Sequence, residues 1–271
     1  MMLTQNVTFA FGLTLLAGLA TGIGSMMALV AKQTSTRFLS TTMGFSAGVM
    51  IYVSFAEILT KARFGLISAL GSPKGDWIAI ASFFAGIFVI ALIDKLIPGI
   101  DNPHEIKNIE SISDTNAAKN FKGLYRTGLF MSLAIAIHNF PEGLATFTAG
   151  LQDVRVALPI AFAIAIHNIP EGIAVSVPIY YATGSKKKAF WLSFLSGLAE
   201  PLGALIGWII FANIVSNIIS SVIFASVGGI MVFISIDQLL PSAEKYGKHH
   251  YAVYGFVAGM IVMALSLLLF I

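Results

Sequence analysis

Apolar residues along the chain gather into eight long runs, roughly 6–31, 38–60, 77–97, 127–150, 156–182, 189–212, 221–240 and 251–271. A helix rises about 1.5 Å per residue, so a roughly 30 Å hydrocarbon core takes about 20 such residues to cross. The pattern predicts an all-α integral membrane protein with eight transmembrane helices. The first run holds no charge, and Lys32 is the first charged residue of the chain. No Lys or Arg precedes that run, and it is long for a simple h-region, which predicts a retained helix rather than a cleaved signal. The stretch 201–236 is also uncharged and accommodates parts of two helices around a polar turn near Asn213 and Asn217.

Composition reinforces this. Of 271 residues, 57% are hydrophobic and only 11% are charged, against about 25% charged in a soluble domain. The mean hydropathy is +0.86. These values exclude a disordered chain, a nucleic-acid module and an ordinary cytosolic enzyme, and they favour one membrane-embedded unit spanning 1–271. Cysteine is absent, which removes disulfides, thiolate metal sites and a cysteine nucleophile. The net charge of +3 matters less than its placement. With the N-terminus outside, the inner segments hold twelve Lys and Arg: Lys32, Arg37, Lys95, Lys107, Lys119, Lys122, Arg126, Lys186, Lys187, Lys188, Lys245 and Lys248. The outer ones hold four: Lys61, Arg63, Lys74 and Arg155. Positive charge gathers on the cytoplasmic side, so eight spans with both termini outside is the expected topology. The longest polar stretch, 98–126, is then a mobile cytoplasmic connection between spans three and four, too short for a second core.

One peptide occurs twice. Span four reads Ala134-Ile-Ala-Ile-His138-Asn139-Phe-Pro141-Glu142-Gly143, and span five reads Ala163-Ile-Ala-Ile-His167-Asn168-Ile-Pro170-Glu171-Gly172, identical at nine of ten positions with an offset of 29 residues. Successive spans run in opposite senses, so the copies can face each other about an axis in the membrane plane, as in inverted-repeat transporters. His138 and Glu142 are four apart and share a helix face, as do His167 and Glu171. Two imidazoles and two carboxylates form a nitrogen/oxygen set suited to Zn²⁺ and, with added water, to other first-row divalent ions. Asn139 and Asn168 lie three residues before Glu142 and Glu171 on an adjoining face. Each Glu can thus bridge to a second, oxygen-rich site. Pro141 and Pro170 withhold a donor from Ile137 and Ile166, and carbonyls freed at that depth need protein or water around them. Glu200, in Gly197-Leu-Ala-Glu200-Pro201, is a third mid-span acid. Left uncompensated, Glu142, Glu171 and Glu200 would together cost roughly 8–10 kcal/mol. No basic residue lies at comparable depth in the sequence; a divalent cation would compensate them.

These residues resemble the ZIP (Zrt/Irt-like) family of divalent-metal transporters, in its bacterial branch. The likeness rests on His138–Gly143, His167–Gly172, Thr183-Gly-Ser-Lys186, Gly197–Pro201 and Asp237-Gln-Leu-Leu-Pro241, and it runs span for span along the chain. The resemblance implies an eight-helix, 3+2+3 inverted-repeat bundle with helices four and five central, and a dimer. It also implies a binuclear metal centre. His138, Glu142, His167 and Glu171 match the zinc-type site. Asn139, Glu142, Asn168, Glu171 and Glu200 match the second site, associated in that branch with Fe²⁺ as well as Zn²⁺. The 98–126 connection departs from the family's frequent His-rich loop, carrying only His104.

The expected function is therefore uptake of zinc, and of Fe²⁺, Mn²⁺, Co²⁺ or Cd²⁺ as further candidates, across a cell membrane. The expected partners are divalent ions and the lipid bilayer, with no nucleic acid and no catalytic cofactor. The competing reading is an intramembrane metal-dependent hydrolase. The spacing speaks against it: the acid lies four residues after a single His, placed as a ligand, whereas a His-Glu-x-x-His protease keeps two histidines on one helix and an open metal position. A metal sensor would need a signalling domain that the sequence lacks. Among lesser candidates, Ser54 and Glu57 lie near the outer end of span two, where Glu57 could draw cations in. Asp237 is an exit candidate. Asp94-Lys95 reads as an interfacial pair, Lys186–Lys188 as a topology determinant touching anionic lipid, and His249-His250 as a solvated pair without a third ligand at ligand spacing.

Overall fold

The computed structural model describes residues 2–30, 36–96, 117–152, 154–211, 217–246 and 249–269. Among them the regular elements are helices: α1 (Met2–Val30), α2 (Thr36–Val53), α3 (Thr60–Leu70), α4 (Lys74–Leu96), α5 (Ala117–Gln152), α6 (Val154–Thr183), α7 (Lys186–Gly197), α8 (Ala199–Phe211), α9 (Asn217–Ile234), α10 (Leu240–Tyr246) and α11 (His249–Leu269). Short π-helical segments, Ser54–Leu59 and Ser235–Leu239, join α2 to α3 and α9 to α10. Seven stretches of the described residues are long and apolar enough to cross a membrane: Val7–Val30, Ser40–Leu70, Lys74–Lys95, Ala157–Val177, Lys186–Ile209, Ile218–Glu244 and His249–Leu268. The protein is a multi-pass membrane bundle. Helix α5, which carries the predicted fourth run, is 36 residues long and unbroken but is not among the seven.

Three predicted boundaries shift, each for a physical reason. The second run was expected to end near residue 60, yet helix continues through the π segment to Leu70. The charges that end the apolar run are accommodated in the helix: Lys61 pairs with Glu57 at 2.5 Å, and Arg63 Nε donates to Asp76 at 2.5 Å. Residues 117–126, expected as part of the connection, are the first turns of α5; Lys119, Lys122 and Arg126 recur at helical spacing, and long basic side chains suit a helix end at the interface. The rest of that connection, His104 included, lies outside the described residues. The sixth run, expected as one helix, is interrupted at Leu198 between α7 and α8. Pro201 explains it, because it has no N–H to give the Gly197 carbonyl four residues earlier.

Packing sorts the helices into two groups. Helix α1 lies along α6, α5 and α7, and α5 packs on α6 and α8; in the other group α2 packs on α11 and α4 on α9. The groups meet where α2 crosses α6 and α5 touches α9. Of the seven membrane-length stretches the one in α6 is the most enclosed, 72% buried against 22% for the one in α4. Accordingly α4 turns Trp77, Phe84, Phe88 and Leu92 outward, where lipid tails would cover them.

The two π segments sit at matched positions of a second, weaker repeat. Gly48, Met50, Ser54 and Leu59 recur as Gly229, Met231, Ser235 and Leu240 at an offset of 181 residues, with apolar residues between the glycine and the serine and one acid after it, Glu57 or Asp237. In both, the serine opening the π turn donates to the carbonyl four residues back, Ser54 Oγ to Met50 O at 2.6 Å and Ser235 Oγ to Met231 O at 2.7 Å.

Candidate metal centre

Six of the seven predicted site residues have described side chains, and all six are buried: Asn139, Glu142, His167, Asn168, Glu171 and Glu200. In a bundle with this much apolar surface, such a concentration of polar groups at the junction of α1, α5, α6, α7 and α8 is its chemically distinctive feature. His138 lies one helical turn before Glu142 on α5, and its side chain is outside the described residues.

The two copies of the repeated peptide meet. His167 Nε2 on α6 lies 3.2 Å from Glu142 Oε2 on α5. Asn168 Nδ2 on α6 donates to Glu200 Oε1 on α8 and, at 2.9 Å, to the Ala17 carbonyl of α1. Asn139 Nδ2 donates to Ser196 O at 3.2 Å, in the last turn of α7 before the break. With their amide nitrogens committed to these acceptors, the Asn139 and Asn168 side-chain oxygens are buried and receive no hydrogen bond among the described residues. Oriented carbonyl oxygens without a donor are what a hard or borderline cation takes as ligands. Glu171 is fully buried on α6, one turn beyond His167.

Close backbone approach makes the meeting possible. A Cβ at Gly143 would run into the Glu200 carbonyl, and one at Gly172 into the Thr21 carbonyl of α1. The glycine closing each copy therefore lets a neighbouring backbone lie directly against the helix. Ser193 Oγ of α7 adds a bond to Gly172 O at 3.1 Å, and Ser46 Oγ of α2 a long one to His167 O at 3.4 Å. Among the described residues, no three His, Asp or Glu side chains stand close enough together to hold an ion. The residues that do meet are joined in pairs across helices.

The lesser candidates lie apart from this junction in sequence. Glu57 is half-buried in the first π segment and pairs with Lys61; Asp237 is half-buried in the second. Asp94 is half-buried near the end of α4, where Lys95 is exposed. Lys186–Lys188 are exposed in the first turn of α7, behind a Ser185 cap that accepts from Lys188 N at 3.3 Å. His249 and His250 are exposed, as expected, but Glu244 brings a carboxylate 2.7 Å from His249 Nδ1, a neighbour that linear spacing did not reveal. The sequence reading also missed α1: its contribution is the Ala17 carbonyl, and a backbone acceptor carries no signature in residue type.

Comparison with known proteins is decisive. The profile of the family described as ZIP zinc transporter matches residues 100–267, more than half the chain. The chain belongs to the ZIP family. Its similarity to ZIP proteins extends well beyond that segment. It is 61% identical to the zinc transporter ZupT of Streptococcus mutans, covering 99% of this chain and all of that one. It is 56% identical to the ZupT proteins of Clostridium perfringens, covering 98% of each, and of Chlorobium chlorochromatii, covering 99% and 100%. ZIP proteins are membrane transporters, not enzymes, and the comparisons lend the hydrolase reading no support.

Proposed function

We propose that this ZIP protein takes up divalent metal, zinc foremost, across the cell membrane through a binuclear centre at mid-depth. The first site is His138, Glu142, His167 and Glu171. The second is Asn139, Glu142, Asn168, Glu171 and Glu200, the two glutamates bridging. The observation that carries the reading is the convergence of both peptide copies: Glu142 with His167, and Asn168 with Glu200, buried across three helices. The names of its relatives specify zinc; the oxygen-rich second site extends the cargo to Fe²⁺, Mn²⁺, Co²⁺ or Cd²⁺.

In this reading α5 is the fourth of eight spans. At about 1.5 Å per residue its 36 residues exceed the ~30 Å core. The whole chain forms one transmembrane domain with both termini outside and 98–126 on the inner side. The 29-residue and 181-residue repeats support inverted symmetry in a 3+2+3 order, since α5 and α6, and likewise α2 and α9, then run in opposite senses. The dimer implied by the family resemblance is part of the proposal.

An incoming ion exchanges water for imidazole and carboxylate ligands, and its charge offsets the buried glutamates. Protonation of those ligands on the inner side would aid release, because a ligand must be deprotonated to bind. The test is flux into proteoliposomes with Zn²⁺, Fe²⁺, Mn²⁺ and Cd²⁺ under varied pH gradients. Glu142→Ala and Glu171→Ala should each abolish flux; retention of wild-type flux by either would overturn the proposed centre.

A further inference from the structure

Hydroxyls in the helices of this bundle mostly bond the carbonyl one turn back, as Thr14 does to Ala10 O at 2.9 Å, Thr148 to Leu144 O at 2.7 Å and Ser235 to Met231 O at 2.7 Å. Thr21 of α1 does not. It is fully buried, yet its Oγ1 has no hydrogen-bond partner among the described residues. The carbonyl it would ordinarily take is Ala17 O, and that carbonyl accepts from Asn168 Nδ2. Asn168 thus occupies the carbonyl that the Thr21 hydroxyl would ordinarily share.

Its position is set by a mutual backbone approach. A Cβ at Gly18 would stand 2.5 Å from Gly197 O, and a Cβ at Gly197 would stand 2.5 Å from Gly18 O. This brings α1 directly against the end of α7, where the helix breaks before Glu200. The same Gly197 Cβ would lie 2.8 Å from Thr21 Cβ and 2.9 Å from Thr21 Oγ1. Thr21 thus faces the break one turn from Glu200, on the helix face whose preceding turn holds Asn168. A buried hydroxyl without a partner is destabilising unless something binds it.

We propose that Thr21 is a specificity-determining residue of the metal centre, its hydroxyl holding a water carried by the ion on the Asn168–Glu200 side. The proposal rests on the binuclear reading above. The ligand class is a partly hydrated divalent cation. Mn²⁺ and Fe²⁺ favour additional oxygen ligands, whereas Zn²⁺ is satisfied by four nitrogen and oxygen ligands. Thr21 should therefore matter more for the harder ions than for zinc.

The experiment compares initial uptake of Mn²⁺, Fe²⁺ and Zn²⁺ into proteoliposomes holding the full chain, either wild type or Thr21→Val, Thr21→Ser, Thr21→Ala or Glu142→Ala. Thr21→Val keeps the shape and removes the hydroxyl. It should lower the Mn²⁺:Zn²⁺ and Fe²⁺:Zn²⁺ rate ratios about tenfold, the size of one hydrogen bond to a charged assembly. Thr21→Ser should restore both ratios to within about twofold. Metal-induced stabilisation is the second readout: the rise in Tm with Mn²⁺ should shrink in Thr21→Val while the rise with Zn²⁺ persists. Metal-free Thr21→Val should melt no lower than wild type, because it loses only an unpaired hydroxyl. If Val is not tolerated, the smaller Thr21→Ala must show the same change in ratios. Unchanged ratios in the hydroxyl-free variants, or equal losses in Ser and Val, would overturn the role of Thr21. If Glu142→Ala retains flux, the binuclear reading itself falls; if Glu142→Ala is inactive while Thr21→Val keeps wild-type ratios, only the present inference does.

Discussion

The two copies of the repeated peptide differ at one residue in ten, yet their surroundings differ throughout. In α5, Asn139 donates to a single backbone carbonyl, Ser196 O, and Gly143 lies against the Glu200 carbonyl. In α6, Asn168 divides its donors between Ala17 O and the Glu200 carboxylate, and Gly172 lies against Thr21 while receiving Ser193 Oγ. The repeat supplies the same ligand types twice; the neighbouring helices decide what each ligand is held by. Copy two takes its asparagine and glycine contacts from both α1 and α7–α8, whereas among the described residues those of copy one come from α7–α8. The largest effect tests what the copies share. Glu142→Gln and Glu171→Gln each remove a bridging carboxylate, and both should reduce Zn²⁺ flux more than a hundredfold, beyond the roughly 10–100-fold typical of outer-sphere losses. A variant of either that transported at near wild-type rate would show that the copies are not equivalent ligand donors.

The next effect separates them. Asn139→Ala and Asn168→Ala each delete one oxygen ligand, but Asn168→Ala also deprives the buried Glu200 carboxylate of its amide donor. A hydrogen bond to a charged group is worth about 1.5–3 kcal/mol, so Asn168→Ala should transport about tenfold more slowly than Asn139→Ala. Asn168→Asp would set two carboxylates side by side and should be worse still, while Asn139→Asp would exchange the donor to Ser196 O for a second oxygen without meeting the Glu200 carboxylate that Asn168 bonds. Equal losses at the two positions, measured as kcat/KM for Zn²⁺ uptake, would remove the asymmetry. Gly143→Ala and Gly172→Ala offer a third comparison. Both force a methyl group into a neighbouring backbone, and overpacking of this kind costs about 1–3 kcal/mol or more, so both should lower Tm. Gly143→Ala pushes directly on Glu200 and should lose more metal affinity per degree of Tm lost than Gly172→Ala, whose new methyl meets α1.

How much of this was legible in the sequence depends on which force decided each feature. Hydropathy located seven membrane-length helices because burial in lipid is read residue by residue, and the doubled His-Asn-x-Pro-Glu-Gly placed five described side chains in a buried junction that Glu200 joins from α8. Hydropathy failed where charges compensate one another locally. Lys61 and Arg63 looked like the end of a span but lie in a helix that continues to Leu70, because Glu57 and Asp76 pair with them. It also failed at Leu198: Pro201 was in view, but it was read as part of a continuous span. The role of α1 was hidden for a different reason. Ala17 contributes only its carbonyl, and Gly18 contributes only the absence of a side chain, so neither announces a site. Chemistry carried by side-chain type was visible; chemistry carried by backbone proximity needed three dimensions.

The smallest effect concerns a hydrogen bond that reaches the junction from the other helix group. Ser46 of α2 donates to the carbonyl of His167 at 3.4 Å, near the limit of hydrogen-bond length, and no equivalent bond is described for copy one. A bond this long contributes little, so Ser46→Ala should leave Zn²⁺ flux within about twofold of wild type and Tm within a few degrees. The result still bears on the comparison, because α2 belongs to the group built around α11, α4 and α9. If α6 must slide or tilt against α2 while the ion passes, breaking this bond should raise kcat slightly and leave KM unchanged, since the link restrains motion without touching the ligands. A loss in KM would instead mean that Ser46 holds the His167 ring in place through its backbone, making α2 a third clamp on copy two.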